Sequence, residues 1–274
     1  MKYQPFSVAI SVYRSDNPVF FDRALESITV KQTIMPSEIV LVVDGPVPNE
    51  IDEIIHKYSL ICVMKIIRLE KNHGLGNALK IATENSTYEL IARMDSDDIS
   101  VFNRFEQQLK CFYDNEDIDI VGGNITEFVG EESNIVATRS VPTSNDAIRE
   151  YMKKRCAMNH VSVMFKKTAI MKAGGYLDWY FNEDYYLWIR MCLNGCCFFN
   201  TNTILVNVRT GKDMYARRGG LKYYRSEKKL QKFMWEKKII GFPRYCINVF
   251  ERFVIQILLP NRIRGFVFKK IARR

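Results

Sequence analysis

Short apolar runs alternate with amphipathic stretches along the first half of the chain. Four of the runs predict buried β-strands, because each is a short apolar segment bounded by polar residues. They cover Phe6 to Val12, Ile39 to Val43, Val63 to Ile67 and Leu90 to Met94. The stretches between them have helical periodicity, at Val19 to Thr29, Glu50 to Tyr58 and Leu75 to Thr83. This alternation predicts an α/β fold with a Rossmann-like, mostly parallel sheet flanked by helices.

The pattern is less regular after residue 100. It predicts a helix at Phe102 to Tyr113, a strand at Ile118 to Asn124, an insertion or hairpin at 125–141, a helix at Asn145 to Lys154, a strand at Val161 to Phe165 and a helix at Tyr185 to Leu193. Three basic helices follow: Tyr224 to Ile240, a second after Pro243 to Leu259, and a third after Pro260 to Ile271. We therefore predict an α/β domain over residues 1–218 and a basic amphipathic helical extension over residues 219–274.

Charge is unevenly distributed along the 274 residues, whose formal net charge is +9. Residues 201–274 contain 19 Lys and Arg against 4 Asp and Glu, so residues 1–200 carry a net charge of −6. Aromatic and aliphatic residues interleave with Lys and Arg between Phe250 and Arg274, without a nucleic-acid-binding motif. This composition favours an anionic membrane surface as the partner, and we expect no nucleic acid. The alternative is an apolar face that packs on the domain.

The cysteines and the termini bear on the cellular location. The seven cysteines include no Cys-x-x-Cys motif, which indicates reduced thiols, and the N-terminus lacks a signal-peptide pattern. The apolar run Phe253 to Leu259 is too short to span a bilayer. We expect a cytoplasmic protein that associates peripherally with the inner face of the cytoplasmic membrane through its basic extension.

Three carboxylates, Asp95, Asp97 and Asp98, follow the predicted strand Leu90 to Met94. Carboxylates this close repel one another, so they favour a cation between them. An Asp-x-Asp spacing suits Mg²⁺ or Mn²⁺, which bind carboxylate, phosphate and water oxygens. The alternative is a solvated turn that caps the next helix.

Polar residues also follow the other predicted parallel strands. Tyr13 and Arg14 follow the first, Asp44 and Gly45 the second, and Arg68 the third. In open parallel sheets, ligands bind beyond the carboxyl ends of the strands. A charged ligand is therefore expected at this edge.

Five segments together resemble glycosyltransferase family 2, the inverting nucleotide-sugar transferases with the GT-A fold. They are Ser7 to Tyr13, Leu41 to Gly45, Asn72 to Leu79, Arg93 to Asp98 and Asn182 to Trp188. The resemblance extends over residues 6–218 and is greatest to bacterial members that build O-antigen, capsule and exopolysaccharide repeat units. No single segment is specific, but their order and spacing are.

On the donor side, the resemblance implies a UDP-sugar with a divalent metal, Mn²⁺ or Mg²⁺. Asp97 would bind the metal, Asp95 would lie by the ribose and the metal, and Asp44 would accept a hydrogen bond from the uracil N3–H. The other implied nucleotide contacts are Ser11, Tyr13, Arg68, Asn72, Gly74, Arg93, Ser96 and Arg209. Without the resemblance, Asp44 and Gly74 are a turn residue and a helix start. The basic segment from Arg209 to Gly220 would close over the diphosphate, or it is a solvated loop.

On the acceptor side, the resemblance makes Asp184 the general base, with Glu183 and His160 as acceptor contacts. Inverting transfer needs one base to take the proton of the attacking hydroxyl. The alternative for Glu183 and Asp184 is capping of the helix that follows, and for His160 a structural role.

The resemblance also implies the substrates. The donor would be UDP-glucose or UDP-galactose, transferred in β linkage to an undecaprenyl-diphosphate-linked sugar, an N-acetylhexosamine. Two alternatives stay open: a nucleotidyltransferase of related fold, and a catalytically silent basic scaffold protein. The presence of Asp95, Asp97 and Asp184 favours the glycosyltransferase.

Overall fold

The computed structural model describes residues 3–211 and 219–260. Its strands are β1 (Phe6–Val12), β2 (Glu38–Val43), β3 (Met64–Arg68), β4 (Leu90–Met94), β5 (Ile99–Ser100), β6 (Ile120–Phe128), β7 (Ile135–Arg139), β8 (Met164–Lys166) and β9 (Phe198–Arg209). Its helices are α1 (Pro18–Ile28), α2 (Asn49–Ser59), α3 (Leu75–Asn85), α4 (Arg104–Asp114), α5 (Asn145–Met152), α6 (Lys167–Lys172), α7 (Glu183–Leu193), α8 (Leu221–Glu236) and α9 (Phe242–Phe253). A 3₁₀ turn covers His160–Ser162, and a π-helical turn, Val254–Leu258, continues α9.

The four strands predicted in the first half form the parallel part of the sheet, in the order β3-β2-β1-β4. Alternate residues of β2 enter different hydrophobic clusters. Val40 and Val42 pack in the cluster that contains residues of α3 and α7, whereas Ile39 and Leu41 pack with α1 and α2. Burial on both faces explains why the strand is a continuous apolar run. The predicted α/β fold, with a mostly parallel sheet flanked by helices, is confirmed.

The other half of the sheet is mixed. β8 runs antiparallel to both β4 and β6, β9 runs parallel to β6, and β5 is antiparallel to β9. β6 and β7 form an antiparallel hairpin, as predicted for residues 125–141.

The prediction of one strand from Val161 to Phe165 is wrong in its first half, because residues 160–162 form the 3₁₀ turn. Ser162 stabilises this turn: its Oγ donates to the carbonyl oxygen of Asn159 at 2.8 Å. The strand β8 begins only at Met164.

The C-terminal helices pack on the α/β domain over part of their surface. Leu230 and Met234 of α8 are fully buried in the cluster that contains Trp188. In α9, the buried amide of Asn248 donates to the Lys153 carbonyl oxygen at 2.8 Å. Helix α8 ends at Glu236 rather than at Ile240, because the backbone enters the left-handed region at Lys238, with φ 58°.

Two further predictions concern the end of the chain. Arg252 belongs to the basic residues that are predicted to face a membrane, and for this residue the prediction is wrong, since its guanidinium is paired with Glu227 and both side chains are largely buried. The third predicted helix, up to Ile271, lies outside the described residues. Within the part that the structure describes, no helix is long and apolar enough to cross a membrane.

Candidate active site

The carboxyl ends of the parallel strands meet at one edge of the sheet. β6 and β9 end at the same edge, since both run parallel to β4. A cavity of about 650 Å³ opens there, between these strand ends and the N-terminus of α7. The predicted site residues that line it are Arg93, Asp95, Asp97, His160, Glu183, Asp184 and Arg209. Ser11, Tyr13, Asp44, Arg68, Asn72, Gly74 and Ser96 lie outside the cavity lining.

The carboxylates after β4 are held at the floor of the cavity. Asp95 forms a bidentate ion pair with Arg93, whose side chain is only 3% exposed. Burial raises the pKa of Asp97 to about 6, and the negative charges of Asp95 and Asp16 add to this shift. Asp98 is fully enclosed, and burial raises its pKa well above the usual value. The cluster thus brings three carboxyl groups together in the lining of one cavity.

Arg104, at the start of α4, stabilises the end of β4 through hydrogen bonds to backbone carbonyl oxygens. Its side chain is fully buried, and its Nη2 donates to the carbonyl oxygens of Arg93 at 2.7 Å and Val163 at 3.3 Å. Burial lowers the pKa of Arg104 to about 9, and the positive charge of Arg93 lowers it further. The sequence pattern predicts a helix here but gives no sign that one of its arginines is buried.

Asp44 organises the loop that leads into α3. Its Oδ1 accepts a hydrogen bond from the backbone N–H of His73 at 2.7 Å, and its Oδ2 accepts one from Gly74 at 2.9 Å. Gly74 takes a φ of +86°, which favours glycine. The amide of Asn72 donates to the Asp44 carbonyl oxygen at 3.3 Å. A loop-forming role of Asp44 is therefore present, and its contact with uracil stays a prediction.

Asp16 connects the end of β1 to residues 95–98, the segment that carries Asp95, Asp97 and Asp98. Its Oδ2 accepts hydrogen bonds from the backbone N–H of Tyr13 at 3.1 Å and from the Ser96 hydroxyl at 2.8 Å. Tyr13 has an exposed side chain, and Ser11 lies within β1, opposite Val42 of β2. Asp16 was missed by sequence reasoning, because a single aspartate in a loop has no distinguishing spacing.

Two predicted cations have other partners in the structure. Arg68 pairs with Asp52 of α2 at 2.7 Å and is half exposed, so it is not directed to the cavity. Arg209 lines the cavity, but its guanidinium donates to the carbonyl oxygens of Gly130 at 3.0 Å and Asp97 at 3.2 Å. Its backbone N–H donates to Asp98 Oδ1 at 2.8 Å. Arg209 therefore connects β9 to Asp97 and Asp98. Residues 212–218 of the predicted closing segment lie outside the described residues.

Glu183 and Asp184 form the first turn of α7 and face the cavity. Burial raises the pKa of Glu183 to about 7, and the neighbouring charge of Asp184 adds to the shift. A Cβ on Gly76 of α3 would lie 3.6 Å from the Glu183 Cβ, so the N-termini of α3 and α7 are in contact range. The N-cap residue of α7 is Asn182, so Glu183 and Asp184 do not cap the helix but lie in its first turn. This position is compatible with a catalytic role, since a helix terminus holds its side chains rigidly.

His160 is held in the cavity wall as a neutral imidazole. Its Nε2 lies 2.9 Å from the Tyr176 hydroxyl, and its ring meets Trp188 edge-on with centroids 6.0 Å apart. Burial lowers the pKa of His160 well below its usual value, and the charge of Arg93 lowers it further. A neutral histidine suits hydrogen bonding to sugar hydroxyls.

Two charged residues of the β6–β7 hairpin also line the cavity, Glu127 and Arg139. Sequence reasoning left residues 125–141 without a role. Side chains alternate between the two faces of this hairpin, so the residues that face the cavity can be identified once the hairpin is known to border it.

The family model described as glycosyl transferase family 2 matches residues 7–176. The chain belongs to this family. A family 2 relative, the UDP-Gal:alpha-D-GlcNAc-diphosphoundecaprenol beta-1,3-galactosyltransferase of Escherichia coli, is 38% identical over 98% of this chain and 97% of its own length. The amylovoran biosynthesis glycosyltransferase AmsE of Erwinia amylovora is 34% identical, over 97% of this chain and 98% of that protein.

A solved structure supports the fold of this family 2 glycosyltransferase. The mannosyltransferase PcManGT of Pyrobaculum calidifontis, in complex with GDP-Man and Mn²⁺, aligns with a TM-score of 0.63. It is 14% identical, and the alignment covers 99% of this chain and 77% of that one. The predicted GT-A fold and the predicted family are confirmed. In residues 3–211 and 219–260, no group of three Asp, Glu, His or Cys side chains forms a complete metal-ligand set.

Proposed function

We propose that this family 2 enzyme transfers galactose from UDP-galactose, in β linkage, to an N-acetylglucosamine carried on undecaprenyl diphosphate. The observation that carries the proposal is one cavity that joins the Asp95–Asp97 segment to the Asp184 carboxylate at the start of α7. The near full-length identity to a galactosyltransferase with this acceptor supports the choice of both substrates. Such a reaction builds a repeat unit of O-antigen, capsule or exopolysaccharide.

The leaving diphosphate would bind next to Asp95 and Asp97 in the cavity. Asp95 is already paired with Arg93, so Asp97 is the carboxylate available for a divalent cation. Burial raises the pKa of Asp97, and the negative charges of Asp95 and Asp16 add to the shift. A carboxylate among other carboxylates fits a hard cation such as Mn²⁺ or Mg²⁺, with phosphate and water oxygens completing the shell. That cation would supply charge stabilisation for the departing UDP. Ser11, Tyr13, Asp44 and Asn72 would contact the nucleotide in this proposal.

Asp184 takes the proton of the acceptor hydroxyl in this proposal. The hydroxyl oxygen attacks the anomeric carbon from the face opposite UDP, so a new C–O bond forms as the bond to the phosphate oxygen breaks. The proton passes to the Asp184 carboxylate, and the electron pair of the broken bond leaves with UDP. Glu183 and the neutral His160 would hydrogen-bond the two sugars and orient them.

A membrane contact through the C-terminal helices accompanies this acceptor. Five large apolar side chains of α9 and the following turn are exposed: Phe242 at 55%, Ile247 at 47%, Phe250 at 66%, Phe253 at 37% and Leu258 at 59%. Exposed apolar side chains beside basic residues suit an anionic bilayer surface. Sedimentation with vesicles containing anionic lipid tests this contact, and Phe250→Ser is expected to weaken it. Equal binding to neutral vesicles would contradict the electrostatic part.

The test of the proposed function measures UDP release and product mass with a synthetic N-acetylglucosamine-diphosphate-lipid. A panel of UDP-sugars is compared with and without Mn²⁺, for wild type, Asp184→Asn and the control Asp178→Asn. Asp178 is an exposed carboxylate outside the cavity lining. We expect metal-dependent galactose transfer and a loss of about 10²–10⁴-fold in kcat for Asp184→Asn alone. Transfer of no sugar by wild type would refute the substrate assignment.

A further inference from the structure

The β6–β7 hairpin forms a wall of the cavity that the proposed mechanism does not use. Ile125 of β6 and Arg139 of β7 are directly paired, so their side chains lie on the same face of the sheet. Glu127, two residues further along β6, shares that face because side chains alternate along a strand. All three residues line the cavity.

The guanidinium of Arg139 is held by one hydrogen bond, and a guanidinium carries five N–H donors, so others can bind a ligand. It is half-buried, and its Nη2 donates to the carbonyl oxygen of Cys156 at 2.9 Å. Over residues 3–211 and 219–260 it forms no ion pair. Among the described residues, the lining contains two other arginines. Arg93 is paired with Asp95, and the Arg209 guanidinium donates to two backbone carbonyl oxygens, whereas that of Arg139 donates to one.

Arg139 lines the same cavity as the proposed base, Asp184. Burial raises the pKa of the Cys156 thiol to about 12, and the charge of Asp184 raises it while that of Arg139 lowers it. Both charges therefore act on the same buried thiol. A lipid-linked acceptor carries its reacting hydroxyl and its diphosphate on one sugar ring, so a base and an anion-binding group must lie close together to hold both.

We propose that Arg139 binds the diphosphate of the lipid-linked acceptor and thereby orients the acceptor sugar toward Asp184. A guanidinium can bind phosphate oxygens through two parallel N–H groups, which fixes orientation as well as position. The hydrogen bond to Cys156 holds the planar group in place before the acceptor arrives. This inference rests on the proposed function and gives the hairpin a role in acceptor selection.

Two acceptors distinguish this role from a structural one. The first is N-acetylglucosamine diphosphate on a long alkyl chain, and the second is the matched alkyl glycoside without the diphosphate. For Arg139→Gln, we expect the KM of the diphosphate acceptor to rise roughly tenfold or more, as for the loss of a charge-assisted hydrogen bond. The KM values of the alkyl glycoside and of UDP-galactose should change less than twofold, and Arg139→Lys should recover part of the loss. The control Lys80→Gln removes an exposed charge from α3 and should change none of these values.

The opposite result is an equal rise in KM for both acceptors, which would overturn the proposal in favour of a structural role. Calorimetric binding of the diphosphate acceptor to the UDP-loaded protein separates the inference from the proposed function. If wild type binds this acceptor in an Arg139-dependent way but transfers no sugar, the inference stands and the proposed reaction fails. If wild type binds neither acceptor, both are overturned.

Discussion

Glu183 is expected to destabilise the protein above neutral pH. It lies in the first turn of α7, where the helix dipole favours a negative charge. Burial and the neighbouring Asp184 nevertheless raise its pKa from 4.5 to about 7. Each pKa unit corresponds to about 1.4 kcal/mol, so the ionised form is disfavoured in the folded protein by about 3 kcal/mol.

The pH dependence follows from the direction of this shift. Below about pH 4.5, Glu183 is protonated in the folded and unfolded protein alike, so its charge costs no stability. Between pH 4.5 and about 7 the unfolded chain ionises first, and the free energy of unfolding falls. Above pH 7 the whole cost is present. Glu183→Gln should therefore stabilise the protein by about 3 kcal/mol at pH 8 and have almost no effect at pH 4.5.

Urea unfolding of the metal-free and nucleotide-free protein across this pH range measures the difference. Glu50→Gln is the matched control, since Glu50 is an exposed glutamate in the first turn of α2. Its difference from wild type should be small and should not depend on pH in this way. A Glu183→Gln difference that is constant with pH, or that is destabilising at pH 8, would refute the reasoning.

Three further substitutions test other parts of the structure. Asp97→Asn should abolish the increase in UDP affinity that Mn²⁺ gives, measured by calorimetry, and should not lower the metal-free affinity, because it removes a negative charge that repels the diphosphate. Gly45→Ala should lower the thermal unfolding temperature, because φ is +93° and the new Cβ would lie 2.9 Å from a backbone nitrogen; Gly130→Ala, also at positive φ but in open space, should lower it less. Arg252→Met should destabilise by about 3–5 kcal/mol, because Glu227 would be left buried without its counter-charge, and Glu227→Gln in the same chain should recover part of this loss.

The parallel half of the sheet is predictable from sequence because burial on both faces leaves a continuous apolar run. β2 is such a strand, and all of its residues are buried. β9 is not, since it begins Phe-Phe-Asn-Thr-Asn-Thr and buries polar residues. Asn200 is fully buried because its amide donates to the carbonyl oxygens of Pro142 and Ala157. Those partners are remote in sequence, so no local pattern reports that this segment is a strand.

The candidate site divides in the same way. Asp95 and Asp97 are predictable because they follow a recognisable strand, and Glu183 and Asp184 because they begin a recognisable helix. Arg139 is not, because its relevance depends on a hairpin that meets the cavity only in the folded protein. The family resemblance supplied the roles of the four carboxylates, whereas the role of Arg139 required the topology of the sheet.

The charge distribution of the cavity bears on how the donor binds. Asp95, Asp97 and Asp98 lie together in the cavity lining, and burial first, then repulsion between these carboxylates, raises the pKa values of Asp97 and Asp98. A diphosphate brought to these carboxylates alone would add negative charge to negative charge. A divalent cation and the nucleotide should therefore each increase the affinity for the other, by the same factor in both directions. The carboxylates thus favour the metal and the donor together over either alone, whereas the acceptor diphosphate, at the hairpin wall, meets the guanidinium of Arg139 instead.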